Sequence, residues 1–116
     1  MIPHGVDVFV GLDPIDLRWG FERLSGLVTE RLGREVRGGA LFLFFGRRRD
    51  ALKVLFFDGS GLCIFYKRLD QGTFRIPEAP REGVVALEID ERTLDDLLDG
   101  IEVVPADSTR RRRRIH

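Results

Sequence analysis

The segment Leu41–Leu69, LFLFFGRRRDALKVLFFDGSGLCIFYKRL, leaves a chain of this kind few ways to fold. It contains three strand-like runs joined by two turns, with an apolar residue on nearly every rung. In Leu41–Phe45 both alternate sets are apolar, Leu41, Leu43 and Phe45 against Phe42 and Phe44, as in a strand covered on both faces. Ala51–Phe57 sets Leu52, Val54 and Phe56 against Ala51, Lys53, Leu55 and Phe57, and the third run sets Leu62, Ile64 and Tyr66 against Cys63, Phe65 and Leu69. The turn Asp58-Gly59-Ser60-Gly61 is a hairpin signal, because glycine takes positive φ at little steric cost. Gly46–Asp50 is also of hairpin length. The segment predicts an antiparallel meander whose two faces both need cover, from helices or from a second copy of the chain.

The flanks supply candidates for that cover. Val6–Val10 alternates as a strand with one buried face, ended by Gly11. Asp13 as N-cap and Pro14 at the first helical position predict a helix with Asp16 in its first turn. Its apolar stripe is Leu17, Phe21, Leu24, Val28 and Leu32, and Gly33 is its stop. Residues 34–39 read as a flexible link. Thr73–Ile76 predicts a short strand before Pro77 and Pro80, and Gly83–Leu87 an edge strand. Asp90 caps a second helix with Leu94, Leu97, Leu98 and Ile101 as its buried stripe. The expected fold is α+β: an antiparallel sheet of four or five strands with a meander core and two packed helices. Residues 1–104 form a single domain, followed by a disordered basic tail over 105–116.

Composition narrows the function classes. At 116 residues, 43% hydrophobic and 33% charged, the chain is an ordinary globular domain able to bury a core. One cysteine, Cys63, excludes an internal disulfide and a cysteine-rich zinc site, and a small buried hydrophobe is its expected role. The start MIPHGVDV lacks the basic flank and apolar core of a signal peptide, and no apolar run is long enough for a bilayer. A cytoplasmic protein without membrane contact is expected. The zero net charge conceals an asymmetry. Without Arg110, Arg111, Arg112, Arg113 and Arg114 the chain has 14 basic residues against 19 acidic, so an acidic body precedes a basic tail.

Candidate sites follow from side-chain chemistry. Arg47, Arg48 and Arg49 at a hairpin tip, with Arg18, Lys53, Lys67 and Arg68 nearby, can follow a phosphate backbone. An acidic protein surface suits the same charges, and a solvated turn with Asp50 neutralising one arginine needs no partner. The arginines of the tail fit a nonspecific nucleic-acid arm or an incidental end. Phe42, Phe44, Phe57, Phe65, Tyr66 and Trp19 could stack on bases, but their aliphatic neighbours favour core packing. Asp13, Asp16, Asp50, Asp58 and Asp70 each have a cap, turn or strand-end role that competes with a two-metal site. His4 and His116 lie near opposite termini with no third ligand in sight, so no metal triad is expected. No catalytic set, metal site or cofactor is expected.

The fragments GLDPIDLRWGFERLSGLV, LFLFFGRRRDALKVLFFDGSGLCIFYKRLDQGTF and LDDLLDGI resemble the TnpB accessory protein of bacterial insertion sequences of the sixty-six family. The resemblance spans roughly residues 2–103, and its most specific part is the GRRRD turn, Lys53, the Asp58-Gly59 turn and the aromatic strand ending Lys67-Arg68. Asp16, Arg18 and Phe21 also match. The chain departs from the family at Trp19, where lysine is frequent, and at Phe56, Phe57 and Phe65, where tryptophan or tyrosine is frequent. An unrelated RNA-guided nuclease shares the family's name, but this chain is far shorter and lacks its zinc cysteines. The resemblance implies an accessory role in transposition beside a separate transposase that carries the catalytic acids. The resulting expectation is a noncatalytic factor that binds element DNA or the transposase through its basic hairpin surface. The alternative is an adaptor that docks on the transposase by an apolar sheet face without touching DNA.

Overall fold

The computed structural model describes residues 5–100. Its strands are β1 (Val8–Gly11), β2 (Leu41–Phe45), β3 (Ala51–Phe57), β4 (Leu62–Arg68) and β5 (Ala86–Ile89). The helices are α1 (Phe21–Leu32) and α2 (Glu91–Leu98), with a 3-10 turn at Val36–Gly38. The five strands form one sheet in the order β4-β3-β2-β1-β5. β2, β3 and β4 pair antiparallel through the two short turns, with Leu43 opposite Val54 and Val54 opposite Phe65.

The sheet is mixed rather than antiparallel throughout, which corrects the sequence expectation. β1 runs parallel to β2, Phe9 opposite Phe42, while β5 runs antiparallel to β1 on its other side. The cause is the long connection through α1. A helix laid across the sheet returns the chain to the end where β1 began, so β2 must start in the same direction.

Both faces of the sheet centre are covered. On one face, Phe9, Phe42, Phe44 and Leu55 pack under Leu24 and Val28 of α1 and Val36 of the 3-10 turn. Phe9 and Phe42 stack there with ring centroids 5.7 Å apart. On the other face, Val8, Val10, Leu43, Phe45 and Val54 pack under Phe74 and under Leu94 and Leu97 of α2. The doubly apolar pattern of β2 is the sequence trace of this arrangement: all five of its residues are buried. Gly11 makes the packing possible, because a Cβ there would lie 2.8 Å from the Phe44 ring. No helix among the described residues is long and apolar enough to cross a membrane.

Several boundaries differ from expectation. α1 starts at Phe21 rather than after Asp13, with Gly20 at its N-cap and no side-chain cap. Residues 13–20 are diverted by backbone bonds: the Ile15 N–H donates to the Phe45 carbonyl at 2.8 Å and the Trp19 N–H to the Asp16 carbonyl at 3.0 Å. Phe21, placed on the buried stripe by spacing, is consequently exposed. Gly33 ends the helix in the left-handed conformation, φ 67°, and the Arg34 N–H closes the terminus on the Val28 carbonyl.

Residues 36–38 of the expected link form a 3-10 turn with Val36 buried, and the Glu35 side chain accepts from the Arg37 N–H. Thr73–Ile76 forms no strand. Phe74 instead inserts into the core against Phe45 at 5.7 Å. The last strand begins at Ala86 rather than Gly83. Asp90 caps α2 as expected, its carboxylate accepting from the Thr93 N–H at 2.7 Å. Cys63 is half-buried. The expected tail over 105–116, with Arg110–Arg114, and Ile101 lie outside the described residues.

Candidate anion-binding groove

The GRRRD turn is held from three sides. Across its base the Gly46 N–H donates to the Ala51 carbonyl at 3.2 Å, and the Arg49 N–H donates to the Gly46 carbonyl at 3.0 Å. Arg49 has φ 61° and is the only non-glycine in the left-handed region among the described residues. Outer segments grip the same turn: the Phe74 N–H donates to the Arg49 carbonyl and the Leu69 N–H to the Asp50 carbonyl, both at 2.7 Å. Burial of the Phe74 ring anchors the first of these bonds. The backbone is therefore fixed, while the side chains of Arg47, Arg48 and Arg49 stay exposed. No carboxylate among the described residues pairs with any of the three.

Facing the turn is the loop between β1 and α1. Ile15 and Gly46 form a parallel bridge, and Leu17 packs so closely that a Cβ on Gly46 would lie 2.6 Å from its Cδ1. Asp16 accepts from the Arg18 backbone N–H at 2.9 Å and binds its guanidinium at 2.7 Å. These bonds, the side-chain one foremost, hold the Asp16 carboxyl well below its usual range, at about 2. The Arg18 guanidinium is correspondingly harder to deprotonate, and its side chain is 90% exposed.

Between loop and turn lies an open groove of about 590 Å³, lined by Arg47, Arg48 and Arg68, by Asp16 and Asp50, and by Trp19 among others. Arg68, the last residue of β4, reaches the Tyr66 hydroxyl at 3.3 Å. That bond, and the charge of Asp50, make it a still weaker acid. With Arg18 on the flank, four guanidinium groups meet two carboxylates, one of which Arg18 already neutralises. The groove is basic, rigidly walled and able to accept an anion.

The structure thus brings Arg47, Arg48 and Arg68 together in the groove lining, with Arg18 bonded to the lining residue Asp16 and Arg49 exposed and outside the lining. It places the two lysines elsewhere. Lys53 is only 9% exposed, donates to the Trp19 carbonyl at 2.8 Å and lies 5.2 Å from the Tyr66 ring centroid. Lys67 points to the opposite face and donates to the Leu98 carbonyl at 2.6 Å, at the C-terminal end of α2 where backbone carbonyls lack helical partners. Strand alternation carries this distinction. Lys53 and Lys67 stand opposite Tyr66 and Leu52, so they belong to different faces. The Phe74 anchor and the Asp16–Arg18 clamp were missed from sequence, although an Asp two residues before an Arg was a readable signal for the clamp.

Three of the five carboxylates weighed as metal ligands have local roles. Asp13 pairs with Arg31 at 3.2 Å, and Asp16 with Arg18. Asp58 accepts from the backbone of Ser60 and Gly61, which holds its pKa at about 2. No three of the described His, Cys, Asp and Glu residues are placed to share a metal ion.

These features define a small α+β protein with a preformed basic groove beside a hairpin. The sequence model of the family described as IS66 Orf2 like protein matches residues 6–108, and the chain belongs to that family. Family membership implies an accessory role in transposition. Among similar proteins, uncharacterized protein y4hO of Sinorhizobium fredii (strain NBRC 101917 / NGR234) is 42% identical over 104 residues, covering 88% of each chain. Uncharacterized protein y4jC of the same strain is 31% identical over 91 residues, covering 78% of this chain and 77% of that one. No solved structure matches significantly.

Proposed function

We propose that the chain is a noncatalytic accessory factor that binds the DNA of its element in the groove at the GRRRD turn, next to the separate transposase. The observation that carries this reading is the set of exposed arginines on a backbone fixed by four hydrogen bonds, with Arg47, Arg48 and Arg49 free of carboxylate partners among the described residues. Guanidinium groups held in place match the spacing and planarity of phosphate oxygens, and a fixed loop loses little entropy on binding. The noncatalytic reading rests on the local roles of Asp13, Asp16 and Asp58. Covered faces at the sheet centre favour the groove over docking by an apolar sheet face. The single domain over 1–104 and the nonspecific arm at Arg110–Arg114 remain part of the proposal.

The test is a fluorescence titration of duplex element-end DNA at two salt concentrations. It compares the intact chain, Arg47/Arg48/Arg49→Ala, and a chain ending at Thr109. Each phosphate neutralised contributes about −0.9 to the log–log salt slope, so loss of three contacts flattens it by roughly 2.7. The turn variant is expected to lose binding and slope together, and truncation to weaken binding less. If truncation alone abolishes binding, the groove is not the DNA site. If the intact chain does not bind at either salt, the DNA reading fails, and mixing with the transposase tests the adaptor.

A further inference from the structure

β4 is an outer strand, and no strand among the described residues pairs with its far side. Its pairing with β3 runs unbroken from Leu62 to Arg68, with no bulge to twist the edge away. The direction of its backbone groups is fixed by two bonds. The Leu69 N–H donates to the Asp50 carbonyl, and the Gly61 carbonyl accepts from the Asp58 N–H. Odd-numbered residues of β4 therefore face β3, and antiparallel alternation turns the N–H and C=O groups of Leu62, Ile64, Tyr66 and Arg68 outward.

This edge also carries Phe65 and Tyr66, 39% and 48% exposed, two of the three exposed large hydrophobics among the described residues. β5, at the other end of the sheet, has the usual protections against edge pairing: four residues only and an exposed Glu88. β4 has seven residues and is charged only at Lys67 and Arg68.

We infer that the open edge of β4 is completed by β4 of a second copy, the two strands running antiparallel about a two-fold axis at Phe65. This register pairs all four outward residues: Ile64 with Tyr66 of the second copy, Leu62 with Arg68, and the reciprocal pairs. Centring the axis one residue to either side leaves one outward residue without a partner in the strand. Phe65 meets its own counterpart in a close non-hydrogen-bonded pair, and Ile64 against Tyr66 is a favourable aliphatic–aromatic pair. Lys67 falls opposite Cys63 of the second copy and Arg68 opposite Leu62, so no cation confronts a cation. The self-complementary edge gives an isologous dimer with a continuous ten-stranded sheet. It stands independently of the groove.

The test is sedimentation velocity on the full chain across a wide range of concentration, where the expected species has twice the 13.3 kDa mass of one chain. Phe65→Lys sets two ammonium groups against each other at the axis and is expected to return the monomer. Oxidative cross-linking fixes the register without relying on that variant. In a Cys63→Ser background, Phe65→Cys is expected to form a covalent dimer, because directly opposed Cα atoms about 4.5 Å apart lie within disulfide reach. Tyr66→Cys faces Ile64 of the second copy and is expected to stay uncross-linked. A monomer at every concentration overturns the inference, as does a dimer that Phe65→Lys leaves intact. Dimerisation only of a chain ended at Gly100 also overturns it, since the removed segment would then be what occupies the edge.

Discussion

Replacing Lys53 by methionine distinguishes a lysine that holds the fold from one that touches a partner. The ammonium is 2.8 Å from the Trp19 carbonyl, so it ties β3 to the loop that walls the groove. A hydrogen bond with a charged donor contributes roughly 1.5–3 kcal/mol. The 5.2 Å approach to the Tyr66 ring adds about 0.5–1 kcal/mol. Against this stands the cost of keeping an ammonium at 9% exposure, which methionine of similar volume does not bear. The net loss expected is about 1–2 kcal/mol. With a urea dependence of about 2 kcal/mol/M for a chain of this size, the unfolding midpoint should fall by about 0.5–1 M with an unchanged slope. Urea denaturation followed by Trp19 fluorescence reads both quantities. An unshifted midpoint combined with a loss of DNA affinity like that of Arg47→Ala would refute the structural role and make Lys53 a contact residue.

Other perturbations test other joints of the structure. Gly11→Ala drives a methyl into the Phe44 ring, where the contact would be 2.8 Å, and should cost about 1–3 kcal/mol by calorimetry. Arg49→Gly relieves a left-handed φ of 61° that costs a side-chain-bearing residue roughly 1–2 kcal/mol. After the greater backbone entropy of an unfolded glycine is subtracted, a gain of up to about 1 kcal/mol should appear as a raised urea midpoint. Asp16 and Asp58 are both lowered to about 2 from 3.8, so their stabilisation is fully present above pH 4 and disappears as pH falls through about 2. Acid titration by circular dichroism should show that loss, and Asp58→Asn should make the profile shallower between those limits. A variant that leaves the acid limb unchanged would show that the Asp58 turn persists in the unfolded chain.

How much of this was legible in the sequence depends on how local each determinant is. The run Leu41–Arg68 announced its strands and turns because alternation and turn glycines act over a few residues, and β2 even announced cover on both faces. Asp90 and Gly33 marked helix ends for the same reason. The false start at Asp13 shows the limit. Asp-Pro is a good helix opening, but the Ile15 N–H finds the Phe45 carbonyl, a partner thirty residues away that no local pattern reveals. Phe74 sits in a run with strand-like spacing, but its packing against Phe45 depends on how a proline-containing segment crosses the sheet. The arginines were visible as a cluster in the turn. The separation of Lys53 and Lys67 onto opposite faces was also implicit in strand alternation, once the pairing was known.

The groove follows from the parallel pairing of β1 and β2, which no local pattern in the sequence reveals. Because β1 and β2 are parallel, both strands end at the same edge, and the chain leaving β1 must pass beside the turn leaving β2. Past the end of their ladder the isolated bridge from Ile15 to Gly46 brings the two segments together again, and Leu17 seats on Gly46. Beyond that contact the two segments diverge, one toward α1 and the other into β3, and the space between them is the groove. Ligand sites in open sheets with parallel strands form at the carboxyl ends of those strands for the same geometric reason. With β1 antiparallel to β2, the Asp16–Arg18 loop would sit at the far end of the sheet from the GRRRD turn. The arginines would then decorate an isolated hairpin tip, with no facing wall to orient an anion. The α1 crossover therefore both covers the sheet and builds one wall of the candidate site, and Lys53 is the bolt between those two roles.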